Sequence, residues 1–152
     1  MRGWREAYRD ILPQNFLAGL KVDPREIAWR SMLESDEQEA APAWVAERAG
    51  VVVGFVATGP PRDEDAPVPG AEIYAIYVRP ENWRGGAGRA LLATAVAYWR
   101  ARGATTLVLW VLEANARGRG FYEALGWSPD DVRQQIDLGG FSAPEVRYRF
   151  TV

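Results

Sequence analysis

The sequence predicts a mixed α/β fold in a single domain over residues 1–152. Apolar and β-branched runs typical of strands alternate along the chain with segments of helical periodicity. A glycine-rich stretch at 85–88 lies between a predicted strand and a predicted helix. The length of 152 residues suits one domain.

Two helices are predicted before the first strand. Trp4, Tyr8, Ile11 and Leu12 recur at helical spacing. A second helix is predicted over about 24–34, since Asp-Pro-x-Glu before it combines a capping residue with a proline suited to the first turn. The acidic run at 34–39 follows as an exposed segment.

The sequence of the central part of the chain predicts a β-hairpin and then a strand that leads to the glycine-rich stretch. The hairpin pairs 44–48 with 51–58 through Ala49-Gly50, and a polar, proline-rich rim loop follows at 59–70. The remaining predicted elements are a strand at 72–78, a helix from Gly88 to about Arg102, a strand at 105–112, a helix at 117–125 and strands at about 132–138 and 145–151.

Composition excludes several kinds of chemistry. The chain has no Cys and no His, and Lys21 is the only lysine among 18 basic residues. Thiolate nucleophiles, disulfides and ordinary zinc or haem sites are therefore excluded, and no metal is predicted. If the protein is an enzyme, carboxylates, tyrosines, backbone amides, water or a bound cofactor must carry its chemistry.

The charge balance limits the classes of partner that the chain is expected to bind. A net charge of −2 does not favour a nucleic-acid backbone or an anionic membrane. No apolar run has the roughly 18–20 residues of a membrane span, and the first residues lack the apolar core of a signal peptide. The sequence predicts a cytoplasmic protein.

The glycine loop predicts an anion site. Gly85, Gly86 and Gly88 allow positive φ angles and close approach of a ligand, and amides at a helix N-terminus attract phosphate. Arg84 and Arg89 add positive charge. The ATP-binding pattern Gly-x-x-x-x-Gly-Lys-Ser/Thr is absent, and Leu91 stands where a dinucleotide fingerprint needs a third glycine. A different phosphate-bearing ligand is expected.

Two motifs carry a resemblance to a known family. Residues 78–92, with Gly86 and Gly88, resemble the acetyl-CoA loop Gln/Arg-x-x-Gly-x-Gly/Ala of the GNAT N-acetyltransferase superfamily. Residues 115–127 resemble its Asn-x-x-Ala-x-x-Phe-Tyr-x-x-x-Gly-Phe block, with Gly118 for Ala and Trp127 for Phe. Trp83 replaces the first Gln or Arg, which weakens one pyrophosphate contact but leaves the backbone amides intact, and Arg84 beside it can compensate. Residues 4–13 also look like the family's first-helix segment.

The resemblance implies a mixed, mostly antiparallel sheet flanked by helices. It also implies acetyl-CoA as cosubstrate, bound where two parallel strands of the sheet splay apart, here 72–78 and 106–111. Pantetheine would pair with strand backbone, and the pyrophosphate would sit on the loop amides. The implied cofactor-binding residues are Ile76, Tyr77, Val78, Arg84, Gly85, Gly86, Ala87, Gly88, Arg89 and Asn115.

The resemblance also implies catalytic roles. Tyr122 is the predicted acid that protonates the leaving thiolate, since a phenol of pKa ~10 is protonated at neutral pH. Glu72 is the predicted base, with a strand-end surface carboxylate as the alternative, and Glu113 and Tyr74 are in reserve. The N–H of Tyr77 or Val78 would hold the oxyanion.

We therefore expect direct acetyl transfer to a primary amine of a small molecule or peptide. A non-catalytic acyl-CoA-binding or protein-interaction module on the same fold is the alternative. Relative to the family, we expect either that the true start of the chain lies upstream or that the sheet lacks its first strand, and a missing strand would leave 44–48 as an open edge suited to a homodimer. The acidic groups at 34–39 and 63–65 are expected to attract a cationic amine.

Overall fold

The computed structural model describes residue 9 and residues 12–14, 41–138 and 140–152. The predicted helices at the start of the chain and the acidic run at 34–39 fall almost wholly outside these residues. So does the place where a strand before the first helix would lie.

The elements alternate as the sequence predicts. They are β1 (Ala43–Arg48), β2 (Val51–Gly59), β3 (Gly70–Val78), α1 (Ala87–Ala101), β4 (Thr106–Leu112), α2 (Ala116–Glu123), β5 (Ser128–Asp137) and β6 (Ser142–Thr151). A single turn of 3-10 helix at Pro80–Asn82 leads into the glycine loop. In the described part of the chain, no helix is both long and apolar enough to span a bilayer.

The strands form one six-stranded sheet in the order β1-β2-β3-β4-β6-β5. Every pair is antiparallel except β3 with β4, so the predicted mixed and mostly antiparallel sheet is confirmed. Ala49 and Gly50 join the first hairpin with φ of 50° and 76°, the left-handed conformation that a two-residue turn requires.

Within the described residues, β1 is an edge of the sheet, as predicted, and Val45 on it is 62% exposed. Pairing of this edge with a second chain stays a prediction.

The two faces of the sheet have different surroundings because successive side chains of a strand point to opposite sides. Ile73, Leu109 and Tyr148 lie on the face covered by α1 and α2, where they belong to the main core. The neighbouring residues Glu72 and Arg147 therefore lie on the other face. We call these the helix face and the loop face, since residues 60–69 bond to side chains on the second.

The parallel strands separate part-way along their length. Pairing of β3 with β4 runs from Gly70 and Thr106 only to Ile73 and Leu109. Beyond that point β3 stays paired with β2 as far as Val78, while β4 stays paired with β6. The predicted splay is confirmed, and it leaves a gap between β3 and β4.

Candidate functional site

The edge of β3 that borders the gap exposes backbone polar groups. The N–H of Arg79 donates to the Val53 carbonyl at 2.8 Å, on the β2 side. Because a trans peptide directs its C=O opposite to its N–H, the Val78 carbonyl points into the gap. Backbone groups alternate along a strand, so the Val78 N–H and both backbone groups of Ile76 also face the gap, where β4 has diverged.

Tyr77 faces the opposite way. It pairs with Phe55 of β2, and its carbonyl oxygen lies 2.6 Å from the position a Cβ would take on Gly54. Of the two N–H groups predicted to hold an oxyanion, geometry therefore favours Val78. Tyr77 belongs to β3, but its backbone N–H and C=O are directed toward β2 and not into the gap.

The glycine loop presents unpaired N–H groups at the start of α1. The N–H groups of Arg84, Gly86, Ala87, Gly88 and Arg89 have no acceptor in the part of the chain that the structure describes. Gly85 differs, because its N–H donates to Asn82 at 3.3 Å. Clustered amides at a helix N-terminus bind anions without needing a side chain, so this loop fits a phosphate or pyrophosphate.

The loop glycines serve different purposes. Gly86, the N-cap of α1, has φ of 85°, and Arg84 has φ of 61°, a strained conformation for a side chain that costs about 1–3 kcal/mol. Gly85 and Gly88 do not use the positive φ that glycine allows. At these two positions a side chain would meet neighbouring groups. A Cβ on Gly88 would lie 3.1 Å from the Phe121 ring, and a Cβ on Gly85 would lie 2.9 Å from the Arg48 guanidinium.

Tyr122 lies on the helix face, near the level along the strands at which β3 and β4 separate. It is 9% exposed, and its ring centroid is 6.2 Å from that of Tyr148. Tyr148 pairs with Leu109, the last residue of β4 that pairs with β3. The ring also packs against Phe121, so Tyr122 combines a position at the gap with a place in the core.

Glu72 lies on the loop face, one residue before the separation point. It is 1% exposed, so the alternative of a surface carboxylate was wrong. Its carboxylate accepts hydrogen bonds from the Arg62 backbone N–H at 2.9 Å and from Nε of the same residue at 3.1 Å. The Arg62 side chain is 62% exposed. Glu72 and Tyr122 thus flank the gap from opposite faces of the sheet.

Comparison with known proteins decides the family. The sequence profile of the Acetyltransferase (GNAT) family matches residues 3–127. This chain belongs to the GNAT family. The predicted family is confirmed, and with it acetyl-CoA as the cosubstrate.

The GNAT chain has relatives in sequence and in structure. It is 34% identical to the uncharacterized N-acetyltransferase YuaI of Bacillus subtilis, over 94% of this chain and 78% of the relative. It is similar in fold to the PaiA N-acetyltransferase of Thermoplasma acidophilum in complex with coenzyme A, with a TM-score of 0.76, 18% identity, and 99% and 86% of the two chains covered. The ribosomal-protein-alanine N-acetyltransferase of Brucella melitensis gives a TM-score of 0.72 at 23% identity, over 99% and 91% of the chains.

Asn115 of the second GNAT motif has a structural task. It is the N-cap of α2, and its Oδ1 accepts the Gly118 N–H at 2.9 Å. A Cβ on Gly118, where the motif has Ala, would lie 2.6 Å from Asn115 Nδ2. The glycine therefore gives the capping amide room. Its predicted contact with the cofactor stays a prediction.

Residues 60–69 are held against the loop face by charged groups that sequence reasoning did not connect. Arg147, 3% exposed, donates to Asp65 at 2.8 Å and to Asp63 at 3.2 Å, and the Trp110 indole N–H donates to Asp63 at 2.9 Å. Burial opposes the charge of Arg147, but these carboxylates and Asp130 raise its pKa. Asp63 and Asp65 are thus paired within the protein, which weakens the expectation that they attract an amine.

Tyr74 and Glu113, the further candidates for the base, also have partners within the protein. The Tyr74 hydroxyl donates to the Pro60 carbonyl at 2.6 Å. Burial raises the pKa of Tyr74, and the charge of Glu72 adds to this while Arg62 opposes it, so Tyr74 is a poor base near neutral pH. Glu113 forms an ion pair with Arg133 at 3.2 Å.

Glu145 is a second buried carboxylate on the loop face, and it leads to a stability prediction. Burial raises its pKa, the Gln134 amide at 3.1 Å and Arg62 oppose the rise, and Glu72 adds to it. A carboxyl group whose pKa is raised by folding stabilises the folded state at a pH below its unfolded-state pKa. This stabilisation is lost as the pH rises through the folded-state pKa of the group. We expect Glu145→Gln to raise Tm by roughly 2–4 °C at pH 7 and to make no difference below pH 4.

Thermal unfolding followed by circular dichroism at pH 7 and at pH 4 measures this difference. The exposed Glu64 provides the control, since Glu64→Gln removes an equal charge without altering a buried group. The same Tm shift at both pH values would contradict the role assigned to Glu145.

Proposed function

We propose that this GNAT chain transfers the acetyl group of acetyl-CoA to a primary amine by direct attack in a ternary complex. The gap beyond Ile73 and Leu109 carries this proposal, because unpaired backbone N–H groups border it and Glu72 and Tyr122 flank it from opposite faces. The chain contains no Cys. An acyl-cysteine intermediate is therefore impossible, and the amine must attack the cosubstrate itself.

Backbone groups bind the cosubstrate in this proposal. The free N–H groups of Arg84 and of residues 86–89 donate hydrogen bonds to the pyrophosphate, and the N–H and C=O groups of Ile76 bind the pantetheine amides. Acetyl-CoA supplies the activated thioester. The Val78 N–H, directed into the gap, stabilises the negative charge that develops on the carbonyl oxygen during attack.

Tyr122 is proposed as the acid. A phenol with an ordinary pKa of ~10 holds its proton at neutral pH and can give it to a thiolate whose conjugate acid has a pKa of ~8.5. Its place on the helix face, beside the last paired residue of β4, puts it on the side opposite Glu72.

Glu72 is proposed as the base, acting through water on the incoming ammonium group. Its burial on the loop face separates proton removal from proton donation by the thickness of the sheet. The amine then loses its proton on one face of the sheet and the leaving thiolate gains a proton on the other face. No single side chain has to perform both transfers. Residues 60–69 border the approach to Glu72 through Arg62 and are proposed to contribute to acceptor selection.

The proposed acceptor is an amine of a small molecule or a peptide. Peptide N-termini are included because a structural neighbour is a ribosomal-protein-alanine N-acetyltransferase. A thiol-reactive dye that detects free CoA tests this, with acetyl-CoA and a panel of amino acids, polyamines, aminoglycosides and short peptides. The protein contributes no signal because it has no Cys. Binding of CoA without turnover of any amine would favour the non-catalytic alternative.

We expect Glu72→Gln to lower kcat/KM for the amine about 10- to 100-fold at neutral pH. The amide oxygen can still accept a hydrogen bond from Arg62, but the side chain cannot accept a proton. The loss should shrink as the pH rises, because more of the amine is then already neutral. Steady-state rates between pH 6 and 10 measure this.

Glu145→Gln is the matched control, since it alters another buried carboxylate on the same face of the sheet. Equal losses in the two variants, or an unchanged rate for Glu72→Gln, would rule out Glu72 as the base.

A further inference from the structure

Trp83 occupies the loop position where the GNAT motif has Gln or Arg. Its one polar group is used within the protein, since the indole N–H donates to the Val78 carbonyl at 2.8 Å. That carbonyl points into the gap, so Trp83 lies at the end of the gap that meets the glycine loop. Trp83 therefore brings no free donor to a phosphate, whereas the motif residue it replaces would bring one.

A cation rests on the face of this indole. The guanidinium carbon of Arg117 is 4.3 Å from the Trp83 ring centroid, a cation–π distance. Arg117 is an exposed residue of α2, far from Trp83 in sequence. None of the described carboxylates forms an ion pair with it. Its charge is thus positioned by the ring without being neutralised.

The packing of α2 directs Arg117 toward the phosphate loop. Arg117 and Phe121 are four residues apart and share one face of the helix. The Phe121 ring packs on Gly88, where a Cβ would lie 3.1 Å from it. The same helix face therefore carries Arg117 alongside the free amides at the start of α1. The stacking on Trp83 holds it on that flank.

We propose that Arg117, held on Trp83, is a phosphate ligand of CoA that supplies the charge missing from position 83. The ligand chemistry is a phosphate oxyanion, either of the pyrophosphate or of the ribose 3′-phosphate. A guanidinium suits this task because it can stack on a ring through its face and donate to oxygens through its edge. Arg84, next to Trp83 in the chain, makes no such ring contact in the described structure.

Calorimetric titration of Arg117→Gln with CoA, 3′-dephospho-CoA and pantetheine tests the proposal. We expect about tenfold weaker binding of CoA, since a charge-assisted hydrogen bond is lost. Pantetheine, which has no phosphate, should bind the variant and the native chain equally. If the variant and the native chain bind 3′-dephospho-CoA equally tightly, Arg117 contacts the 3′-phosphate. If the variant still binds it more weakly, Arg117 contacts the pyrophosphate. The CoA affinity of the variant should also depend less steeply on salt.

Arg102→Gln is the matched control, because Arg102 stacks on Tyr98 at 3.5 Å near the opposite end of α1. It should leave CoA binding unchanged. Trp83→Arg, which restores the motif residue, should recover most of the affinity in the Arg117→Gln background. Unchanged CoA binding in Arg117→Gln would overturn the proposal. So would an equal loss with pantetheine, which would mean that Arg117 only supports the loop.

Discussion

Replacing Tyr122 by Phe is expected to lower kcat about 100- to 1000-fold while the Kd for CoA stays within twofold of the native value. The ring and its packing against Tyr148 and Phe121 are retained, so the fold and the cofactor site should not change. The substitution removes the hydroxyl that is proposed to protonate the leaving thiolate. Steady-state rates at saturating acetyl-CoA and amine, together with calorimetric CoA binding, measure the two quantities separately.

Tyr148→Phe provides the comparison. Tyr148 lies in the same aromatic cluster, and its hydroxyl accepts from Arg119 at 3.0 Å and donates to Glu123 at 2.6 Å. Losing these buried hydrogen bonds should lower Tm while kcat falls by less than about tenfold. If Tyr122→Phe kept its kcat, or if both variants lost activity equally, Tyr122 would be a packing residue.

Replacing Gly86 by Val is expected to raise the Kd for CoA about 100-fold. Gly86 has φ of 85°, which a β-branched residue does not readily adopt, and it lies among the free amides of the loop. The loop must then rearrange and its N–H groups no longer converge on one anion. Calorimetric titration with CoA gives the Kd.

Gly103→Val separates this loss from general destabilisation. Gly103 has φ of 87° and, like Gly86, has nothing within 4 Å of the position of a Cβ, but it follows the other end of α1. Both variants should lose stability to a similar degree, and only the first should lose CoA affinity. Native CoA affinity in Gly86→Val would mean that the phosphate lies elsewhere.

Local sequence signals predicted most of the described fold. Periodicity and turn chemistry act between near neighbours in the chain. They predicted the hairpin over Ala49 and Gly50, the helix that ends just before Gly103 and the strands around the glycine loop. The two motifs, in their order along the chain, also predicted the family. The same signals predicted the anion site, because a strand, glycines and a helix in sequence bring free amides together.

The parts of the site that sequence reasoning missed depend on side chains that meet through folding. Glu72 at the start of a strand gave no sign that Arg62 in the preceding loop would cover it. Positive φ at Arg84 went unpredicted because no residue type announces it. The pairing of Arg147 with Asp63 joins residues more than 80 positions apart, and no local pattern encodes it.

The absence of Cys and His, read from the sequence alone, excluded an acyl-cysteine intermediate and proton transfer by an imidazole side chain of this chain. The glycine spacing determined where an anion can bind. Only the tertiary structure decided that Val78, not Tyr77, faces the gap, that Glu72 and Tyr122 lie on opposite faces, and that Arg117 rests on Trp83. The physical reason is that strand pairing and packing set the direction of each group, and both depend on residues distant in the chain.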